Sequence, residues 1–234
     1  MLIGVMGLAQ SGKSTTAEVL TGRFGFRRVA LADPLKTMLA SIGFTEAQLY
    51  GEEKSKVVPG LGVTPRFLMQ ALGMWGRRIS ADFWVRMWGR AVAEPLRTGQ
   101  RVACDDIRFP NEVRAIHDRG GVVILVRRKG VEPLARWGVL GRALVRLGLK
   151  FPIHPSERLD RIAHLADYVI DNDGTVADLR AKVAEVTALA LAEKTRARRA
   201  QIEANDNLPS GVTAAGFSLM AAVIPFADAV KVIV

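Results

Sequence analysis

The chain has 234 residues, 49% of them hydrophobic, which is enough to bury one sizeable core. Its 33 Lys and Arg residues exceed its 23 Asp and Glu residues, and the net charge of +10 favours acidic partners such as nucleotides, nucleic acids or anionic membranes. The single cysteine, Cys104, excludes an intramolecular disulfide framework and a cysteine-rich zinc site, so we expect a reducing cytoplasm. The first residues lack a basic leader and a cleavage site, and we expect no secretory signal.

Short apolar runs recur along the chain, separated by segments long enough to form helices. This alternation predicts an α/β fold whose strands form a parallel sheet. The first run ends at Gly7, and a helix is expected to begin near Lys13. The predicted strands are Leu2 to Met6, Arg28 to Leu31, Arg101 to Cys104, Val122 to Val126 and Tyr168 to Ile170.

Helical spacing predicts two helices between Thr64 and Thr98, and an Ala-rich helix from about Val176 to Arg199. The segment from Lys129 to Pro155 is Arg-rich and broken by Gly, as expected of a mobile cover over a phosphate site. After a polar hinge at 203–207, the apolar tail 208–234 is expected to pack or to be poorly ordered. Its length approaches that of a membrane span, but Pro225, Asp228 and Lys231 argue against one.

A phosphate-binding loop follows the first predicted strand. The residues Gly7-Leu8-Ala9-Gln10-Ser11-Gly12-Lys13-Ser14 match GxxxxGK[ST] in full, between a strand and a helix as the mechanism requires. Glycine lets successive backbone N–H groups turn toward phosphate oxygens, and the helix adds its positive N-terminal end. Lys13 is expected to reach the β and γ phosphates, and the Ser14 hydroxyl to ligate Mg²⁺. The predicted ATP-binding set here is Gly7, Gln10, Ser11, Gly12, Lys13, Ser14 and Thr15.

Two carboxylates, Asp105 and Asp106, follow the third predicted strand. Ligands gather at the carboxyl edge of a parallel sheet, so one of these side chains is expected to serve Mg²⁺ directly or through water. The pattern does not choose between them, and a helix cap or surface turn is the alternative for the pair.

Three further residues are candidates for the phosphate acceptor. Asp33 follows the second predicted strand and is positioned to orient or deprotonate an acceptor, while Lys36 on the next helix would meet the acceptor's phosphate. A helix N-cap role for Asp33 stays open, because Pro34 suits the first helical position. Arg108 comes directly after the acidic strand end, where a bidentate guanidinium suits a phosphate.

At these residues the chain resembles the phage-type deoxynucleoside monophosphate kinases, within the P-loop nucleoside monophosphate kinase superfamily. The resemblance covers about Met1 to Glu193, and its order and spacing are more specific than any single motif. Its elements are the phosphate loop, Ala32 to Lys36, Thr64-Pro65-Arg66, Gln70 to Gly73, Asp82-Phe83-Trp84, Asp105 to Glu112, Gly120-Gly121, Val126 to Arg128, His154 to Glu157 and Asp171 to Thr175.

The resemblance implies a P-loop three-layer sandwich with a five-stranded parallel sheet, a helical monophosphate-binding region and a lid. It implies transfer of the γ-phosphoryl group of ATP, with Mg²⁺, to a deoxynucleoside monophosphate, yielding a diphosphate and ADP. The implied monophosphate-binding set is Asp33, Lys36, Arg66, Gln70, Trp84, Arg108 and Glu112. The implied catalytic set is Lys13, Asp33, Arg108 and the lid arginines Arg127 and Arg128.

Other residues that the resemblance assigns have competing structural roles. Asn172, Gly174 and Thr175 would lie near the adenine, and a strand-ending turn and helix cap is the alternative. Helical spacing favours core packing over base stacking for Trp84. The His154-Pro155-Ser156-Glu157 segment belongs either to the lid or to a structural turn.

The implied organisation is a kinase domain at 1–194, with a monophosphate-binding insert at about 36–98 and a lid at about 127–158. An extension with the apolar tail follows at 195–234. We expect a cytoplasmic protein, in a bacterial host if phage-encoded, with no stable nucleic-acid partner and no membrane association. A homodimer stays open.

Two departures from the family pattern leave the acceptor open. Met74 and Trp75 follow Gly73 where small or acidic residues are expected, and the segment from Arg136 to Lys150 is unusually basic and apolar. The alternatives are a kinase of another phosphate acceptor such as dephospho-coenzyme A, and a P-loop nucleic-acid-binding ATPase. A partner- or membrane-binding role of the tail is a third alternative.

Overall fold

The computed structural model describes residues 1–131, 158–206 and 231–233. The expectations for the segment from Arg136 to Lys150, for His154 and Glu157, and for the tail up to residue 230 lie outside these residues.

The described strands form one parallel sheet in the order β2-β3-β1-β4-β5-β6. The central strand, β1, pairs with β3 from Leu2 opposite Val102 and with β4 from Ile3 opposite Val122. The strands are β1 Leu2–Met6, β2 Arg27–Arg28, β3 Val102–Ile107, β4 Val122–Arg127, β5 Tyr168–Asp171 and β6 Lys231–Ile233.

The five predicted strands are present, with one strand added; the fourth and fifth each extend one residue further than predicted, and the second and third differ more. The second strand is shorter than predicted, since pairing ends at Arg28, although the Val29 amide still donates to Ala103 O at 2.9 Å. The third strand runs on to Ile107, so Asp105 and Asp106 lie within it and not after it. The prediction of a five-stranded sheet omitted β6, which the apolar tail adds beside β5.

Helices cover both faces of the sheet and make the predicted three layers. Alternate residues of β1 point to opposite faces, so Leu2 and Met6 join one apolar core while Ile3 and Val5 join the other. The helices are α1 Lys13–Phe24, α2 Asp33–Ser41, α3 Glu46–Leu49, α4 Pro65–Ile79, α5 Phe83–Arg97, α6 Pro110–His117 and α7 Val176–Asp206; short 3-10 helices occur at Glu52–Ser55, Leu159–Arg161 and Ala163–Leu165.

Local sequence fixes where several of these helices begin and end. Thr64 caps α4 by accepting a hydrogen bond from Phe67 N at 3.2 Å, and Pro65 takes the first helical position. The pair of helices predicted between Thr64 and Thr98 is therefore confirmed as α4 and α5. The expected hinge at 203–207 is helical through Asp206, because α7 carries its helix-forming residues on past Arg199.

The strand order changes direction at β1. The chain goes from β1 to β2 and β3 on one side and then crosses to β4 and β5 on the other. In a parallel sheet a ligand site lies at such a switch point, beyond the carboxyl ends of the strands. The loop from Gly7 to Gly12 occupies this position.

None of the helices in the described ranges combines the length and the apolar character needed to cross a bilayer.

Candidate active site

The backbone of the phosphate loop has the conformation that the sequence motif predicts. Gly12 has φ 110°, a left-handed conformation that side chains disfavour, and Gln10 has φ 68°. A Cβ added at Gly7 would lie 2.4 Å from Val126 O, and one at Gly12 would lie 2.6 Å from Asn172 Nδ2. Both glycines are therefore required by close packing around the loop. Helix α1 begins at Lys13, so its N-terminus faces the loop.

Asn172, the residue directly after β5, contacts the phosphate loop and fixes its position. Its Nδ2 donates to Ser11 O at 2.8 Å, and the residue is buried. The family resemblance implied a place near the adenine for Asn172, whereas the structure places it against the phosphate loop. Thr175 has the alternative role that the sequence left open, because it caps the start of α7 through paired hydrogen bonds with Asp178. Gly174 packs against the same aspartate.

The Lys13 ammonium lies across the phosphate loop. Its Nζ donates to Gly7 O at 2.8 Å and also to Leu8 O. Burial lowers the pKa of Lys13 to about 8, with the nearby charge of Arg108 acting in the same direction and Asp105 and Asp106 opposing it. An anion bound in the loop would reverse this shift, since it favours the charged amine.

A cavity of about 330 Å³ opens beside the loop at the carboxyl edge of the sheet. Basic side chains outnumber acidic ones in its wall, so it suits an anionic ligand of small-molecule size. The structure brings together the predicted residues Ser14, Lys36, Arg66, Gln70, Trp84, Asp105, Asp106, Arg108 and Glu112 in this wall.

The two carboxylates of β3 have different surroundings. Asp106 accepts hydrogen bonds from Leu31 N and Ala32 N, both at 2.8 Å, and thereby fixes the turn between β2 and α2. Asp105 is paired with Arg28, whose Nε donates to Oδ2 at 3.0 Å. The other oxygen of Asp105, Oδ1, is buried and lies 3.0 Å from Arg28 Nη2, but it accepts no well-aligned hydrogen bond within the described chain. Asp105 is held by one side chain, whereas both oxygens of Asp106 accept backbone hydrogen bonds, so Asp105 is the carboxylate better placed to accept a further ligand.

Asp33 lies in the first turn of α2 and is not the N-cap, which is Ala32. Its Oδ2 accepts from Ala30 N at 2.7 Å, and its Oδ1 is 3.6 Å from Arg28. Burial raises the pKa of this carboxyl, while the Ala30 amide and Arg28 oppose the shift. Asp33 does not line the cavity. Its ion-pair partner Arg28 does, so Asp33 influences the cavity by positioning Arg28.

The part of the cavity wall that follows β3 contains a buried ion pair between Glu112 and Arg77. Glu112, 2% exposed, accepts from Arg108 N at 2.7 Å and Phe109 N at 3.1 Å through one carboxylate oxygen. Its other oxygen accepts from Arg77 Nη2 at 2.5 Å. The Arg77 guanidinium also stacks over the Phe109 ring, 3.8 Å from its centroid. Glu112, predicted as a monophosphate ligand, therefore has both oxygens engaged within the protein.

Two further residues predicted to bind the acceptor, Lys36 and Trp84, are buried in the cavity wall. Lys36 is buried in the wall with its Nζ 3.8 Å from the centre of the Tyr50 ring. Trp84 is buried and donates from Nε1 to Gly73 O at 2.8 Å. Its ring packs against Gly76, in keeping with the packing role that helical spacing favours, and it also lines the cavity.

The two arginines assigned to the lid lie at the end of β4. Arg127 forms a two-pronged ion pair with Asp171 of the neighbouring strand, with Nη2 3.0 Å from Oδ2. Arg128 is exposed. Neither residue lines the cavity in this structure.

Three basic residues of the cavity wall were not predicted from the sequence: Arg28, Lys54 and Arg77. For Arg77 a signal was available, because Arg66, Gln70, Gly73 and Arg77 recur at the spacing of one helix face. Arg28 stood in a run of two arginines whose orientation only the strand pairing decides. Lys54 belongs to a short 3-10 helix with no recognisable pattern.

The fold and the phosphate loop together define a P-loop NTPase-like sandwich. No protein-family profile matches the chain. It is 32% identical over 147 residues, 56% of this chain and 76% of the relative, to a protein of Acanthamoeba polyphaga mimivirus that carries the provisional name deoxynucleotide monophosphate kinase. The chain belongs to the deoxynucleotide monophosphate kinase family. By this kinship it is a phosphotransferase.

Two uncharacterised proteins of Ictalurid herpesvirus 1 are also similar. ORF77 is 29% identical over 130 residues, 53% of this chain, and ORF76 is 27% identical over 186 residues, 79% of this chain. The matches span 55% of ORF77 and 66% of ORF76.

Two solved structures align with most of the chain. A dephospho-CoA kinase from Campylobacter jejuni is 17% identical with a TM-score of 0.44, covering 82% of this chain and 98% of that one. A provisionally named kinase from Chloroflexus aurantiacus J-10-fl is 12% identical with a TM-score of 0.43, covering 81% and 96%.

Proposed function

We propose that the chain transfers the γ-phosphoryl group of ATP to a deoxynucleoside monophosphate, giving a deoxynucleoside diphosphate and ADP. The single observation that carries this proposal is the junction of the phosphate loop with a basic cavity. Ser14, the last residue of the loop motif, lines the same cavity as Arg66 and Arg108. A donor phosphate in the loop and an acceptor phosphate among these arginines would therefore meet at Ser14. The name of the mimivirus relative supports the same acceptor class.

The residues of the phosphate loop would bind the phosphates of ATP, the phosphoryl donor. Backbone N–H groups from Gly7 to Ser14, together with the start of α1, would hold the β and γ phosphates, and the Lys13 ammonium would move from the Gly7 and Leu8 carbonyls onto them. Gln10, Ser11, Gly12 and Thr15 complete this part of the site. Asn172 contributes by fixing the Ser11 carbonyl, and Thr175 by starting α7 beneath it.

The described residues fit a magnesium ion. Ser14 and Asp105 line one cavity, and their hydroxyl and carboxylate oxygens are donors of the kind Mg²⁺ prefers. The buried Oδ1 of Asp105 accepts no well-aligned hydrogen bond in the described chain, and its one ion-pair partner, Arg28, would share it with the metal. Asp106 is less suited, since both its oxygens already accept backbone hydrogen bonds. Bound there, the metal would offset the negative charge of the phosphates.

On the acceptor side, Arg66, Arg108 and Lys36 would bind the monophosphate and Gln70 its base or sugar. An oxygen of the acceptor phosphate attacks the γ phosphorus, the bond from that phosphorus to the β,γ-bridging oxygen breaks, and ADP leaves with the bond's electrons. Positioning and charge neutralisation account for most of the catalysis in such a transfer. Glu112 would act through Arg77 and Arg108, and Asp33 through Arg28.

We retain 1–194 as the kinase domain, with the acceptor-binding insert at about 36–98 and a lid at about 127–158. In this proposal Arg127 and Arg128 begin the lid and would neutralise charge during transfer, which requires Arg127 to exchange Asp171 for phosphate.

The test is a kinase assay with ATP, Mg²⁺ and each deoxynucleoside monophosphate, with dephospho-coenzyme A as a contrasting acceptor. ADP should form only with a deoxynucleoside monophosphate. Equal ADP formation without any acceptor would contradict the proposal and favour an ATPase. Lys13→Ala should abolish transfer with the fold retained, and Arg108→Ala should remove acceptor saturation while ATP still binds.

A further inference from the structure

Lys54 lies on the acceptor side of the cavity, on the 3-10 helix Glu52–Ser55 that connects α3 to α4. Its side chain is half-buried, and within the described chain its ammonium makes no hydrogen bond and no ion pair. The nearby Lys56 differs in both respects, because it is 70% exposed and pairs with Glu53 at 3.4 Å. Two lysines of one short segment therefore have opposite environments, and only Lys54 faces the cavity.

The neighbours of Lys54 are mostly basic. Burial lowers its pKa first, and the charges of Lys36, Arg66 and Arg28 lower it further, while Asp105 alone opposes them. Among these charges Lys36 has the largest effect on the pKa of Lys54, and it is itself a buried cation over the Tyr50 ring. Like charges collected in one partly buried wall repel one another, and an anion between them would remove this repulsion. The cluster thus has the composition of a phosphate site.

We infer that Lys54 binds the phosphate of the acceptor together with Lys36 and Arg66, and so selects phosphorylated over unphosphorylated acceptors. This inference rests on the proposed function, and it adds the α3–α4 connection to the acceptor site. A lysine on a short connecting helix, unlike an arginine on α4, contributes a compact charge without fixing the direction of its hydrogen bonds. Lys54 therefore recognises the charge of the phosphate and not its orientation.

The experiment compares Lys54→Gln with Lys56→Gln in the full-length protein, using ATP, Mg²⁺ and the best acceptor among the four deoxynucleoside monophosphates. The KM for the acceptor should rise by about tenfold or more in Lys54→Gln, as expected for the loss of one charge-assisted hydrogen bond. The KM for ATP should stay constant, Lys54→Arg should recover most of the loss, and Lys56→Gln should match the wild type. An acceptor KM that is equal in all four proteins would overturn the inference.

Thermal unfolding separates binding from a structural role. Because Lys54→Gln relieves repulsion, its Tm should equal or exceed that of the wild type. A lower Tm with parallel rises in both KM values would show that Lys54 only supports the fold, and would overturn the inference.

Failure of the proposed function has a different signature. If the wild type converts none of the four monophosphates, the proposed function fails, and calorimetric titration with inorganic phosphate then decides the role of Lys54. Weaker phosphate binding by Lys54→Gln than by the wild type and Lys56→Gln would support the inference. Equal binding, or none by any of the three, would overturn it.

Discussion

The side-chain amide of Asn172 donates a hydrogen bond to the carbonyl oxygen of Ser11 at 2.8 Å, joining the end of β5 to the phosphate loop across 161 positions of sequence. Asn172→Ala would leave this buried carbonyl unsatisfied, a cost of about 1–3 kcal/mol in the free energy of unfolding. The KM for ATP should rise as well, because the loop loses its support. Urea unfolding and steady-state kinetics measure the two effects, and Gln201→Ala on the exposed part of α7 is the control. Unchanged stability and KM would contradict the bracing role.

The Lys13 ammonium predicts how nucleotide binding depends on pH. Burial lowers its pKa to about 8 in the free protein, and bound phosphates would raise it again. Binding near pH 8 should therefore take up a proton, and affinity for ATP should fall by up to about tenfold per pH unit above pH 8. Below that pH the amine is already charged and Lys13 should add no pH dependence. Calorimetry in buffers of different ionisation enthalpy measures the proton uptake, and its absence at pH 8 would contradict the assignment.

The buried ion pair of Glu112 and Arg77 predicts a pH-dependent stability difference. Burial raises the pKa of Glu112 to about 7, against the opposing effects of Arg77 and the backbone amides of Arg108 and Phe109. The folded protein then binds more protons than the unfolded chain between the ordinary value of 4.5 and about 7, so this group's contribution to stability falls as pH rises through that window. Glu112→Gln does not titrate, and the stability of the wild type relative to this variant should decrease from pH 4.5 to 7. Urea unfolding at several pH values measures this difference; a constant difference would contradict it.

Two glycines in helices provide a matched pair of stability tests. A Cβ at Gly76 would lie 2.6 Å from Trp84 Nε1, so Gly76→Ala should displace the indole that bonds to Gly73 and cost about 1–3 kcal/mol. A Cβ at Gly22 in α1 meets no atom within 4 Å, and Gly22→Ala should stabilise the protein by about 0.5–1 kcal/mol. Denaturant unfolding followed by tryptophan fluorescence compares the two. Equal effects would show that the contact with Trp84 is not tight.

The neighbouring carboxylates of β3 should respond differently to loss of charge. Asp105→Asn should raise the Mg²⁺ concentration needed for half-maximal activity by about tenfold or more. It should cost less stability than Asp106→Asn, because it weakens a partly exposed ion pair with Arg28 and no backbone hydrogen bond. Asp106→Asn should destabilise the fold, since it weakens the acceptor of the Leu31 and Ala32 amides by about 1–3 kcal/mol. Magnesium titrations and thermal unfolding of both variants separate the roles, and the reverse pattern would assign the metal to Asp106.

The phosphate loop was predictable because its conformation depends on its own residues: Gly12 has φ 110°, which glycine adopts readily and other residues do not. The helix that carries Arg66 and Gln70 was predictable from spacing for a similar local reason. The hydrogen-bond and ion-pair partners that lie far apart in the sequence were not predictable. Asp106 holds Leu31 and Ala32 from 75 and 74 positions away, and Arg77 meets Glu112 from 35 positions away. Such contacts depend on strand order and helix packing, which no short pattern encodes.

The sixth strand was missed for another physical reason. Lys231–Ile233 is only three residues long and follows an apolar stretch, so neither alternation nor turn residues mark it. Its place is defined by β5, where Tyr168 lies opposite Lys231 and Ile170 opposite Ile233.

The position of β6 determines which hydrogen-bonding groups the sheet presents to its surroundings. Without β6, the outer backbone amides and carbonyls of β5 would be an unpaired template that a β-strand of another molecule can join. A polypeptide shortened after residue 206 would keep the phosphate loop and the basic cavity and still become more prone to self-association during storage. The loss of β6 would therefore be detected as aggregation in concentrated solution more readily than as a change in catalytic rate.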